Sequence, residues 1–188
     1  MHLLGTYARD PTGRQFGHAM TFDIRSEHPS DIDQIRIVTA AAFAGSEHGL
    51  QNEVAIVDAL RAAGALTLSL VAVNEDEVLG HAAFSPVTIE GEDRGWFGLG
   101  PVSVRPDHQR QGLGQALIHD GLERLRQNRA NGCVVLGEPA YYRRFGFEHD
   151  PLLILEGIPG DYFSRLTFRG PDPSGAVRYH HGFDACDR

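Results

Sequence analysis

Cysteine is nearly absent: Cys133 and Cys186 are the only two in 188 residues. Two thiols so far apart build neither a disulfide framework nor metal-type spacing, which fits a reduced, cytoplasmic setting. Long apolar runs are missing as well. None approaches the roughly 18 residues of a membrane span, and no signal-peptide core is visible, so no membrane partner is expected. The ten histidines are scattered and form no HExxH pattern. The adjacent His180 and His181 would point apart on a strand, so no metal site is expected.

Excess positive charge is also lacking. The formal net charge is −8 at pH 7, which argues against a nucleic-acid surface and for cationic partners. Two familiar phosphate-binding patterns fail on spacing. A dinucleotide fingerprint needs a third glycine where Leu117 stands, and a P-loop needs a lysine followed by serine or threonine, which does not occur. There are no internal repeats and no heptads.

What is present suits one compact domain, with 41% hydrophobic and 22% charged residues. Residues 1–19 are polar, aperiodic and followed by Met20, and they are expected to be a leader or vector-derived extension. Residues 20–188 are then the single domain. "MTFDIRSEH" reads as a first strand, and Pro29-Ser30 opens a helix with Ser30 and Asp33 as a capping pair. A second helix runs from about Asn52 to Ala63, closed by Gly64. "LTLSLVAV" and "VLGHAAFSPVTI" form a hairpin across "NEDE", "EGEDRG" turns the chain again, and "WFGLGPVSV" follows as a third strand. Gly100-Pro101 inside that strand predicts a bulge that breaks pairing locally.

Leu113, Leu117, Ile118, Gly121, Leu122 and Leu125 make one face of a helix. "CVVLG" is a short buried strand of the parallel kind, with Cys133 as a small hydrophobe. Pro139 starts the short helix "AYYRRF", which Gly146 ends. "LLILEGIP" and "AVRYHHGF" give two late strands around "RGPDPSG". The order β-α-α-β-β-β-α-β-α-β-β implies an α+β fold around a mixed sheet.

The chemistry concentrates in "VSVRPDHQRQGLGQALI", residues 102–118. It places Gly112 and Gly114 where a loop becomes a helix. A helix N-terminus carries unpaired N–H groups and partial positive charge, and residues without side chains let a pyrophosphate approach those amides. Arg110 adds charge. Glycines chosen for their dihedrals alone would look the same.

This stretch resembles motif A of the GCN5-related N-acetyltransferases, whose loop follows Arg/Gln-x-x-Gly-x-Gly/Ala, filled here by Gln109, Gly112 and Gly114. "LGEPAYYRRFGF" resembles the Tyr-x-x-x-Gly-Phe element of the same superfamily through Tyr142, Gly146 and Phe147. The likeness spans roughly residues 22–150, and the tail "YHHGF" fits a YhbS-like bacterial subgroup. The resemblance implies a mixed, centrally splayed sheet with helices on both faces, and acetyl-CoA as cosubstrate. It implies that backbone groups of Val102, Ser103 and Val104 pair with the pantetheine arm, while Gln109, Arg110, Gln111, Gly112, Leu113, Gly114 and Gln115 surround the pyrophosphate. It leaves a homodimer open.

The implied reaction is direct attack of a primary amine on acetyl-CoA, with Tyr142 donating to the departing sulfur. Some members carry a glutamate where this chain has Gly98, so the base is unassigned, with Glu53, Glu92 and Asp93 as candidates. Residues 43–53, "FAGSEHGLQNE", are the expected substrate loop. The missing glutamate supports a competing reading, a non-catalytic acyl-CoA sensor or scaffold, and Tyr142 opposes it. The acidic balance argues against a third, acetylation of aminoacyl-tRNA.

Overall fold

The computed structural model describes residues 21–44 and 52–187, so the 1–19 extension and most of the expected substrate loop lie outside the described residues. The chain forms β1 (Asp23–Ser26), α1 (Ile32–Phe43), α2 (Glu53–Ala62), β2 (Leu68–Asn74), β3 (Glu77–Ile89), β4 (Glu92–Val104), α3 (Leu113–Gln127) and β5 (Gly132–Leu136). It continues through α4 (Pro139–Tyr142), β6 (Leu153–Leu155), β7 (Phe163–Thr167) and β8 (Gly175–Tyr179). The sheet runs β1-β2-β3-β4-β5-β7, with β8 paired to β3 and β6 paired to β8. Only β4–β5 and β6–β8 are parallel, so the sheet is mixed.

Helices cover both faces because alternate strand residues bury in opposite directions. Leu70, Ala72, Ala82, Phe84, Leu99, Cys133 and Val135 meet Leu113, Leu117, Ile118, Leu122 and Leu125 of α3. All six positions of the predicted α3 stripe, Gly121 included, are buried. Val71 and Val73 face the other way, onto Ile35 and Val38 of α1 and Val57 of α2. Further along that second face, Val87, Trp96 and Val134 pack against Leu153, Phe163, Val177 and Tyr179.

The predicted bulge is present. Ala82 pairs with Val102 and Phe84 with Leu99, so Ala83 alone faces both Gly100 and Pro101. Its consequence lies on the other edge of β4. Pairing to β5 covers Trp96 to Leu99 and stops there, whereas β4 continues to Val104 against β3. The two parallel strands therefore part after the Leu99–Val135 pair, and no described strand takes the edge of Val102–Val104 that faces β5.

Four local expectations are corrected. The start of α1 is held by Asp31 rather than by Ser30 and Asp33: its carboxylate accepts the His28 N–H at 2.7 Å and pairs with Arg25 at 2.6 Å. The "EGEDRG" turn shrinks to Glu90-Gly91, whose φ values of 55° and 77° match the hairpin turn of positive dihedrals. β4 then begins at Glu92. β7 was not expected, because its centre is polar: Ser164 and Arg165 are buried among its apolar residues. Finally, β8 ends at Tyr179, so His180 and His181 do not alternate across a strand, and their rings lie together with centroids 3.9 Å apart.

Candidate active site

The loop between β4 and α3 is braced before it turns. Arg105 pairs with Asp107 at 2.8 Å and with Glu77 across the β2–β3 turn. The Gln109 side-chain amide donates to the Val104 carbonyl and that of Gln111 to the Asp107 carbonyl, both at 3.2 Å. These two glutamines thus shape the loop through their side chains. Arg110 and Gly112 take φ values of 62° and 91°. Gly112 is the N-cap of α3 and no side chain caps the helix, so the amides of its first turn point outward without intrahelical acceptors.

The two glycines have different reasons. A β-carbon at Gly112 would meet nothing within 4 Å, so its requirement is the left-handed dihedral and the open space in front of it. A β-carbon at Gly114 would lie 3.3 Å from the Tyr141 hydroxyl, so this glycine admits the Tyr141 side chain to the first turn of α3. The Arg144 guanidinium sits 4.6 Å over the Tyr141 ring and its Nε donates to the Tyr141 carbonyl at 2.9 Å. Tyr141 is therefore part of the wall beside the loop.

Tyr142 approaches the same gap from the β5 side. A β-carbon on Gly137, just past β5, would come within 2.5 Å of Tyr142 Cε2. Its ring also meets Phe147 edge-on at 5.9 Å. Burial above all, with smaller contributions from Tyr141 and Cys133, pushes the Tyr142 phenol up to about 12. It stays protonated across the physiological range and keeps a proton to donate. The Cys133 thiol is buried and burial raises it far above the ordinary thiol range, so it is an inert core group.

The remaining predicted residues are placed as follows. The Ser103 side chain turns away from the gap and meets Thr39 of α1, oxygen to oxygen at 3.2 Å, leaving its backbone on the β4 edge. Leu113 is buried in the core with only its amide at the loop. Glu53 is 7% exposed at the start of α2, on the face opposite α3. Glu92 and Asp93 sit at the far end of β4, where Glu92 pairs with Arg94 and Asp93 accepts the Gly95 N–H. Six to seven strand residues separate them from Leu99, roughly 20 Å, so they are too remote to act where β4 and β5 part. Among the described residues, no group of three or more metal-ligating side chains comes together.

Comparison with known proteins agrees with this architecture. The acetyltransferase (GNAT) domain family matches residues 23–149, and the chain belongs to that family. The uncharacterised N-acetyltransferase YhbS of Escherichia coli is 40% identical over 171 residues, covering 86% of this chain and 98% of its own. A GNAT family acetyltransferase from Brucella melitensis, solved in complex with acetyl-CoA, is 51% identical with a TM-score of 0.79, covering 88% of this chain and 99% of its own. Escherichia coli YhbS in complex with CoA gives a TM-score of 0.78 at 32% identity, covering 91% of this chain and 96% of its own.

Proposed function

We propose that the protein transfers the acetyl group of acetyl-CoA to a primary amine, of a small molecule or a protein, by direct attack. The observation that carries this reading is the fork itself: the edge of Val102–Val104 lies open to β5 and leads directly into the uncapped N-terminus of α3. An added strand-like chain with a phosphate at its end fits that arrangement, and the relatives solved with acetyl-CoA and CoA support the same ligand.

Bound acetyl-CoA supplies an activated thioester. Backbone groups of Val102, Ser103 and Val104 align the acyl arm, and an N–H near Val102 polarises the carbonyl. The outward amides of Leu113, Gly114 and Gln115, with Arg110, hold the pyrophosphate, while Gln109 and Gln111 keep the loop in shape. Tyr142 donates its proton to the leaving sulfur. Glu53 is the described carboxylate that best suits the base, being buried on the face opposite the phosphate loop.

The test is release of CoA from acetyl-CoA in the presence of primary amines such as spermidine, an N-terminally free peptide and a lysine-containing peptide. The chain contains no lysine, so its own ε-amines do not compete as acceptors. Amine-dependent release is expected, and Tyr142→Phe should lower kcat roughly ten- to a thousandfold at unaltered acetyl-CoA affinity. Tight acetyl-CoA binding with no release by any amine would instead favour a sensor or scaffold.

A further inference from the structure

On the face of the sheet opposite α3, two hydroxyls have no role in the reaction as described above. Gly98 of β4 and Ser85 of β3 are cross-strand partners, so both project to one face. Tyr179 of β8 lies over that spot. A β-carbon built on Gly98 would come within 2.3 Å of Tyr179 Cε1 and 2.8 Å of Cδ1. Residue 98 must therefore lack a side chain for Tyr179 to be where it is. The ring is backed by Phe183, with centroids 4.7 Å apart, and Phe183 in turn packs onto Ile56 and Leu60 of α2.

The Tyr179 hydroxyl and Ser85 Oγ are both buried and neither has a hydrogen-bond partner. Ser85 as a whole is 0% exposed. A buried, unsatisfied hydroxyl is unfavourable, and Phe and Ala at these positions would keep the packing without the penalty. Their place is notable: Gly98 immediately precedes Leu99, the last β4 residue paired with β5 before the strands part. Tyr142 reaches the fork from the β5 side, beside Gly137. Two phenols thus approach the fork, one through α4 and one through β8.

We propose that the hydroxyls of Tyr179 and Ser85 form the subsite for the acceptor's nitrogen, exchanging hydrogen bonds with an uncharged primary amine that arrives on the face opposite the phosphate loop. Two neutral hydroxyls satisfy the N–H groups and lone pair of a free amine but do not balance an ammonium, so the site selects the nucleophilic form. The inference rests on the acetyl-transfer reading, because it takes the fork as the place of the acyl group.

The test uses the full chain labelled with carbon-13 at the tyrosine Cζ, saturated with CoA and titrated with n-propylamine at about pH 9. The Tyr179 signal is identified by its loss in Tyr179→Phe, a variant expected to melt no lower than the parent since it keeps the ring and removes an unpaired hydroxyl. A saturable shift of that signal is expected, with apparent affinity for the amine at least tenfold weaker in Ser85→Ala. A Tyr179 signal that stays still, that moves equally with matched potassium chloride, or that moves unweakened in Ser85→Ala overturns the subsite. Failure of the labelled protein to bind CoA, measured separately by calorimetry, would overturn the acetyl-transfer reading instead.

Discussion

His81 is the clearest case of a single residue whose chemistry is set by its surroundings. It sits at the middle of β3, fully buried, between Val71 of β2 and Ser103 of β4. Ser69 Oγ donates to the Glu27 carboxylate and lies 2.8 Å from His81 Nε2. That direction makes the serine oxygen an acceptor, so Nε2 carries the imidazole proton and Nδ1 is bare. Burial lowers His81 to about 4; Glu27 opposes this only in part, and Arg61 adds to it. In the unfolded chain the ring protonates near pH 6.5, whereas in the fold it stays neutral until about pH 4. Between those values the unfolded chain binds one more proton, so stability falls on acidification by about 1.4 kcal/mol per pH unit, roughly 3 kcal/mol in all. Glu27 and Asp31, both held below the ordinary carboxylate range, extend the loss in the same direction at lower pH. Urea unfolding at steps from pH 7 to pH 4.5 should show this slope, and His81→Asn should lose about one proton's worth of it. An identical slope in the variant would show that His81 is not the group responsible.

Among the elements, β7 separates what local pattern reveals from what only the tertiary structure reveals. The α3 stripe, the β2–β3 hairpin and the Gly100-Pro101 bulge are written in apolar spacing and turn residues, and each forms where its local sequence places it. β7 is different, because "FSRLT" buries an arginine. Arg165 meets Asp150 and Asp172, each at 2.8 Å, Glu148 at 3.2 Å and Thr167 Oγ1 at 3.1 Å. Its acidic partners come from the segment before β6 and from the loop after β7, so the local pattern of β7 does not show that the charge is neutralised. Arg165→Met should destabilise by about 2 kcal/mol, less than a fully buried broken pair costs, because Glu148 and Asp172 remain largely exposed. Adding Asp150→Asn should recover part of the loss in the same urea titration. A change below about 0.5 kcal/mol would mean that β7 is held by its ladder to β5 alone.

At the scale of the whole molecule, the sheet divides the site in two. The loop after β4 leads into α3 on one face, and α1, α2 and the Tyr179 ring lie on the other. The first half was legible in the sequence because it is local: the loop from Gln109 to Gly114 and the Tyr142 helix each carry their own signal. The second half was not, because Gly98 and Tyr179 are far apart in the chain and nothing short of the topology brings them into contact. Even within the first half, only the structure shows that a β-carbon at Gly114 would crowd the Tyr141 hydroxyl, at 3.3 Å. The central claim is that the loop and fork bind acetyl-CoA through open backbone groups. Calorimetric titration of acetyl-CoA into the parent protein and into Gly112→Asp tests it most directly. Micromolar binding by the parent and its loss in the variant, which sets a carboxylate before the uncapped amides of α3, is the predicted result. No binding by the folded parent, or equal binding by the two proteins, would contradict the account.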